Sequence, residues 1–104
     1  MDETEKRAKA WVGDAVLALF AREWILDQKE IEPGNRIEVF TSLTSNQFLA
    51  CIAEPTVVEA RIGKVYAAEG LPAAFDYIQR EILPVYEKQR RNRVKRTRSY
   101  RDRR

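Results

Sequence analysis

The chain has 104 residues, a length typical of one domain, with 44% apolar and 34% charged residues and a net charge of +3. It contains no His, which excludes nucleophilic sites and general bases that depend on His and the usual zinc sites. Its single cysteine, Cys51, excludes an internal disulfide, and we expect it to be buried. The longest apolar run, residues 15–21, is far shorter than the ~20 residues of a membrane span. We expect a cytoplasmic protein with no membrane partner.

The first third of the sequence predicts a long helix, a loop and a short helix. Apolar residues at helical spacing predict one helix over Glu3–Asp27, with a stripe that includes Ala10, Trp11, Leu17 and Ala18. Residues 28–35 contain a Pro-Gly pair and predict a loop, and residues 36–42 predict a short helix.

The following segments also predict helices, each with its own start or stop signal. Thr44 or Ser45 is placed to cap a helix over residues 47–53. Pro55 is placed as the first-turn proline of a helix over Pro55–Glu69, which Gly70 ends. A further helix covers residues 72–80 and beyond, with a kink or a restart at Pro84. In no segment do apolar and polar residues alternate with the period of two that is typical of a β-strand. We therefore predict an all-α fold of four or five helices in a compact bundle.

Charge divides the chain into two parts. Residues 1–87 hold nine basic and 15 acidic residues, whereas residues 88–104 hold ten basic residues and one acid. We therefore predict a helical domain at 1–87 and a basic tail at 88–104. A basic run of this density favours contacts with nucleic-acid phosphates, and the alternative is a solvated tail that aids solubility. The candidate RNA-binding residues are Lys88, Arg90, Arg91, Arg93, Lys95, Arg96, Arg98 and Arg101.

Two acids interrupt the apolar stripes of their helices. Asp14 follows Gly13 in the first helix, and Glu59 lies four residues before Gly63 in the Pro55–Glu69 helix. A carboxylate directed at a core is costly unless it is paired or binds a cation. The pattern leaves two interpretations: a shared site for Mg²⁺ or Mn²⁺, because the ligands are oxygens, or a buried ion pair with an arginine such as Arg22 or Arg61.

Three segments resemble, in order, the motifs of the ribonuclease III family. Residues 10–17 (AWVGDAVL) are similar to its signature helix, E-x-x-E-F-L-G-D-A-V-L. Residues 43–50 (LTSNQFLA) resemble its L-V-S-N-x-x-L-A helix, and residues 59–66 (EARIGKVY) resemble its second motif, D-x-x-E-A-L-I-G-A-I-Y. The likeness is greatest to the Mini-ribonuclease III group, which also lacks a separate double-stranded-RNA-binding domain and also has Ala at the first acidic position of the signature helix.

The resemblance implies a homodimeric, metal-dependent endoribonuclease that acts on double-stranded or structured RNA with Mg²⁺ or Mn²⁺. Carried over by position, Asp14 and Glu59 are the catalytic residues and direct metal ligands. Two further acids of the family are replaced, one by Ala10 and one by Thr56. The Mini group keeps the acid at the position of Thr56, so this is the more serious departure.

Other residues follow from the same resemblance. Glu32, Glu54 and the Thr56 hydroxyl are candidate auxiliary ligands for the metal. Trp11 stands where the family has an aromatic residue at the dimer interface, although ordinary core packing is the alternative for Trp11. The reduced carboxylate set also leaves a second function open: a degenerate domain of this fold that binds structured RNA or a ribonucleoprotein without cleaving it.

Overall fold

The computed structural model describes the backbone of residues 1–102 and the side chains of residues 1–93. Within these residues every regular element is helical, which confirms the all-α prediction; there are six α-helices and one short 3-10 turn rather than four or five helices. The elements are α1 (Glu3–Asp27), the 3-10 turn (Pro33–Asn35), α2 (Arg36–Thr44), α3 (Asn46–Leu49), α4 (Pro55–Glu69), α5 (Leu71–Glu81) and α6 (Leu83–Asp102).

The bounds of α1 and α4 are those predicted from the sequence. Asp2 caps α1, since its carboxylate accepts a hydrogen bond from the Glu5 backbone N–H at 2.8 Å. Pro55 is the first residue of α4. Gly70 ends α4 with φ of +90°, a backbone conformation that side chains with a Cβ rarely adopt, and its N–H donates to the Tyr66 carbonyl at 2.8 Å. The Asp2 cap therefore marks where α1 begins, and Pro55 and Gly70 mark where α4 begins and ends.

The helix expected over residues 47–53 is shorter than predicted. Ser45 caps α3 by accepting from the Phe48 N–H at 3.1 Å, but regular α-helix ends at Leu49. Proline at position 55 holds Glu54 in an extended conformation (φ −52°, ψ 131°), which prevents the chain from continuing as helix into α4. The intervening residues form tight turns, including the Ile52 N–H to Leu49 carbonyl bond at 2.9 Å.

Pro84 marks a restart rather than a kink. Helix α5 ends at Glu81, and α6 begins at Leu83, one residue before the proline. Proline is tolerated in the first turn of a helix because its missing N–H has no partner there. The basic segment that begins at residue 88 therefore lies inside α6, which continues as helix to Asp102.

The core lies between α1, α4 and α5 and is closed by α3 and the start of α6. Leu17, Leu49, Ile62 and Ile78 are completely buried, and the rings of Phe20 and Phe75 meet edge-on with centroids 5.4 Å apart, the first within α1 and the second within α5. None of the helices in this described part of the chain combines the length and the hydropathy of a membrane-spanning segment.

The buried face of α1 is rotated from the predicted stripe. Its buried residues include Ala10, Gly13 and Leu17, as well as Phe20 and Ile25 further along the helix. The predicted stripe also held Trp11 and Ala18; Trp11 is exposed and Ala18 is only half-buried. The core interpretation of Trp11 is wrong.

Candidate functional site

Helices α1 and α4 touch backbone against backbone at two glycines. A Cβ atom on Gly13 would collide with the Glu59 carbonyl oxygen and lie 2.9 Å from the Gly63 nitrogen. A Cβ atom on Gly63 would collide with the Lys9 carbonyl oxygen. Each glycine therefore admits the other helix at a distance that no other residue allows. Gly13 and Gly63, the small residues that the sequence places near Asp14 and Glu59, thus allow the close contact between α1 and α4.

The crossing brings the two candidate catalytic acids together. Asp14 follows Gly13 on α1, and Glu59 lies on α4 at the point of contact. Burial, a hydrogen bond with the Asp14 carboxylate and the negative charge of Asp14 raise the pKa of Glu59 from 4.5 to about 7. At neutral pH the Glu59 carboxyl thus holds a proton about half of the time and donates it to Asp14.

The acids are less buried than the sequence suggested. Asp14 is exposed and Glu59 is half-buried, and no charged residue among those with described side chains is fully buried. The expectation that Asp14 points into the core is wrong, because the buried face of α1 centres on Gly13 and leaves the next residue at its edge.

The buried ion pair is also not found. No ion pair in residues 1–93 includes Asp14 or Glu59. The Arg22 guanidinium lies 4.2 Å from the centre of the Phe40 ring and donates to the Ala18 carbonyl at 3.4 Å, so it is engaged elsewhere. Arg61 is exposed. Among the side chains of residues 1–93, therefore, none forms an ion pair with this pair of acids, and a bound cation would offset their negative charge.

Ala10 and Thr56, which stand where the ribonuclease III motifs have acids, differ in their surroundings. Ala10 lies one turn before Asp14 and is only 8% exposed. Thr56 lies in the first turn of α4 and is half-buried. A carboxylate at Thr56 would therefore cost less desolvation than one at Ala10.

The auxiliary acids are not gathered with the pair. Glu54 lies 3.8 Å from the Lys6 ammonium, and Glu32 is exposed where the chain enters the 3-10 turn. Among residues with described side chains, no group of three or more acidic, His or Cys side chains is placed to hold a metal. Asp14 and Glu59 are thus the two acids that the described side chains bring together at this point.

Trp11 belongs to an exposed apolar face that the sequence did not reveal in full. The Trp11 side chain is 81% exposed. Val12, Leu19 and Leu26 recur at seven-residue intervals on the same side of α1, and all three are exposed. Ile37, at the start of α2, is 79% exposed. The sequence signal that could have revealed this exposed face is the seven-residue spacing of Val12, Leu19 and Leu26, which lies beside the buried stripe of α1.

The start of α6 is fixed to the body by Tyr86. Its ring meets Trp24 and Phe48 edge-on, with centroid distances of 6.3 and 5.3 Å. Its hydroxyl forms a short hydrogen bond with Ser42 Oγ. Because Ser42 already donates to the Val39 carbonyl at 2.9 Å, Tyr86 is the donor. Nothing in the sequence pattern pointed to this anchor.

The basic side chains begin immediately beyond this anchor. Lys88, Arg91 and Arg93 are exposed, and Arg90 is half-buried. The other four candidate RNA-binding residues, Lys95, Arg96, Arg98 and Arg101, lie in the helical part of α6 beyond the described side chains. Cys51, expected in the core, is exposed because it follows the shortened α3 in a surface turn.

Comparisons with protein-family models, curated proteins and solved structures find no match to this chain.

Proposed function

We propose that this protein is a divalent-metal-dependent endoribonuclease of the ribonuclease III type, which acts as a homodimer on double-stranded or structured RNA. The observation that carries the proposal is the acid pair. Two carboxylates from different helices share a proton, have no ion-pair partner among the described residues, and lie at a crossing fixed by two glycines.

The residues present fit Mg²⁺ or Mn²⁺. Both ions prefer oxygen ligands, and Mg²⁺ is commonly held by one or two carboxylates with water and substrate oxygens completing its coordination. Asp14 and Glu59 would hold the ion, and Thr56, which lies one turn before Glu59 in α4, is the candidate for a contact through water. A bound divalent ion supplies an activated water and neutralises charge on the phosphate.

The acids themselves contribute position and charge. Because Gly13 and Gly63 interlock the helix backbones, the backbone positions that carry Asp14 and Glu59 keep a fixed separation. Glu59 must lose its proton to act as a ligand, so its pKa of about 7 makes occupancy of the site depend on pH near neutrality.

Helix α6 supplies the contacts with RNA phosphates. Its start is anchored by Tyr86, and the helix continues from there to Asp102 with eight of the ten basic residues of the segment 88–104. Arginine is the commoner of the two basic types there, which suits forked contacts with phosphate oxygens. In relatives with a separate RNA-binding domain, that domain provides such contacts.

The apolar face of α1 supports the homodimer. A tryptophan that is 81% exposed, together with Val12, Leu19 and Leu26, forms the kind of surface that a second copy covers in a symmetric dimer. Two copies would then place two acid pairs along one RNA duplex, one for each strand.

A second function has its own observation in support. Ala10 and Thr56 leave the site with two carboxylates, and a domain with this reduced set would bind structured RNA or a ribonucleoprotein without cleaving it. Under this alternative the basic helix and the apolar face keep their roles, and only the chemistry at Asp14 and Glu59 is lost.

One assay decides between the two functions. A labelled RNA duplex is incubated with the protein in Mg²⁺, Mn²⁺ or EDTA, beside Asp14→Asn and Glu59→Gln and the matched controls Asp27→Asn and Glu69→Gln, which change exposed acids elsewhere. We expect metal-dependent cuts in the wild type and both controls and none in the two site variants. Binding without cleavage in either metal would establish the noncatalytic alternative.

A further inference from the structure

Helix α6 crosses α2 at Ser42 and Tyr86, and a polar groove opens on each side of the crossing. One side, of about 530 Å³, is lined by α2, α3 and α6 and includes Gln47 and Gln89. The other, of about 350 Å³, is lined by α2, α6 and the segment that contains the 3-10 turn, and it includes Glu30 and Arg90. Both sides share Glu38, Ser42 and Arg93, so we treat them as one feature, the α6 groove.

The chemistry of this groove differs from that of the basic helix above it. The larger side has one acid, Glu38, and one arginine, Arg93; the smaller side has two of each. Hydroxyl and carboxamide groups, which both donate and accept hydrogen bonds, supply most of the remaining polar lining. A track for phosphates alone would be basic throughout, whereas this lining has as many acids as arginines and matches a ligand that carries both hydrogen-bond donors and acceptors.

We propose that the α6 groove binds a single unpaired ribonucleotide of the RNA that α6 holds. The edge of an unpaired base presents both donors and acceptors, which the carboxamides and Glu38 complement. Unpaired bases also stack on arginine guanidinium planes, and Arg90 and Arg93 line the groove beside the hydrogen-bonding groups. The volumes lie within the range of small-molecule sites.

The proposal narrows the class of RNA that the protein binds. It rests on the proposed function, because the nucleotide belongs to an RNA that α6 holds. Bases inside a regular A-form duplex are paired, and its deep, narrow groove keeps side chains from their edges. A groove built for one nucleotide therefore selects RNA in which a bulge or loop lies beside a paired stem. The basic helix binds the phosphates of the stem, and the α6 groove receives the unpaired nucleotide.

The first experiment uses the whole chain and nuclear magnetic resonance in EDTA, where the acid pair plays no part. The side-chain amide signals of Gln47 and Gln89 are followed while guanosine or cytidine 5′-monophosphate is added. Gln79, exposed on α5 and outside the groove, is the internal control. We expect the groove signals to move and Gln79 to stay. No movement of either groove signal, or equal movement with inorganic phosphate alone, overturns the proposal.

The second experiment compares an RNA duplex of two strands that carries one bulged nucleotide with the same duplex lacking that nucleotide, so that the control has no loop. We expect wild type to prefer the bulged duplex by about tenfold, because two hydrogen bonds of ordinary strength amount to roughly that factor. The double variant Gln47→Ala/Gln89→Ala should lose the preference and keep its affinity for the paired duplex, while Gln79→Ala keeps both.

An unchanged preference in the double variant overturns the proposal. Thermal melting of the double variant and of Gln79→Ala verifies that both are folded, and the titration of wild type needs no variant at all. Since both measurements are made in EDTA, failure of the groove leaves cleavage at Asp14 and Glu59 intact, and failure of cleavage leaves binding in the groove intact.

Discussion

The crossing of α1 and α4 and the basic part of α6 place charged side chains in two different ways. At the crossing, Gly13 and Gly63 bring two backbones into contact and set two carboxylates side by side. Along α6, one tyrosine anchors the start of the helix, and three of the four basic side chains described after it, Lys88, Arg91 and Arg93, are exposed.

The difference corresponds to the demands of the two proposed tasks. Holding a small cation requires ligand atoms at fixed distances, and backbone contact provides that precision. Binding a polyanion requires many charges and tolerates inexact positions, since each phosphate contact contributes through released counterions. Changes at the crossing should therefore alter stability and metal binding, and changes along α6 should alter RNA affinity and its salt dependence.

Removal of residues 88–104 should produce the largest effect. For six or more phosphate contacts, affinity falls on the order of 10³-fold when salt rises from about 50 to about 200 mM. We expect this fall for the full chain in fluorescence anisotropy with an RNA duplex, and only a few-fold change for the shortened chain. The midpoint of urea unfolding should change little, because Tyr86 remains. An equal salt dependence for both chains would contradict the role assigned to α6.

Gly13→Ala should cost on the order of 3 kcal/mol of unfolding free energy, because the new methyl group overlaps the Glu59 carbonyl and backbone cannot yield as a side chain does. Gly34→Ala is the matched control, since a Cβ there has nothing within 4 Å. Urea denaturation of the two variants measures the difference. If Gly13→Ala were as stable as Gly34→Ala, the helices would not be interlocked at this point.

Thr56→Asp should tighten metal binding by about tenfold, because it adds a third carboxylate to a site whose affinity depends on ligand charge. Thr4→Asp, an exposed threonine in the first turn of α1, is the control for an added charge. The measurement is the rise in melting temperature with added Mn²⁺. An equal rise in both variants would place the ion away from Thr56.

Glu59→Gln should remove a pH dependence of stability. The folded chain keeps a proton on Glu59 up to a pKa of about 7, whereas an unfolded chain loses it near 4.5. Unfolding free energy in the absence of metal should therefore fall as pH rises between these values and level off above pH 7. The fall should be about 1 kcal/mol, because solvent screens a half-buried group. Glu69→Gln should retain this fall. If Glu59→Gln retained it as well, the pH dependence of the unfolding free energy would belong to another group.

Local signals in the sequence predicted the helices better than they predicted their exposed faces. Pro55 and Gly70 are local start and stop signals for α4, so its bounds are as predicted. The spacing along α1 predicted one apolar stripe but did not identify the face that meets α4, so the stripe included the exposed Trp11 and Asp14 was expected to point into the core. The glycines pointed to a close approach between Asp14 and Glu59, whereas the Ser42–Tyr86 contact joins residues 44 positions apart and has no local signal.

Binding of Mn²⁺ to the acid pair is the measurement that tests the central claim most directly. Electron paramagnetic resonance at pH 8, where Glu59 has lost its proton, counts the free ion in titrations of the wild type, Asp14→Asn, Glu59→Gln and the control Asp27→Asn. We predict one site per chain in wild type and control, and its loss in both site variants. Equal binding in all four proteins, or none in wild type, would contradict the assignment of Asp14 and Glu59 as a metal site.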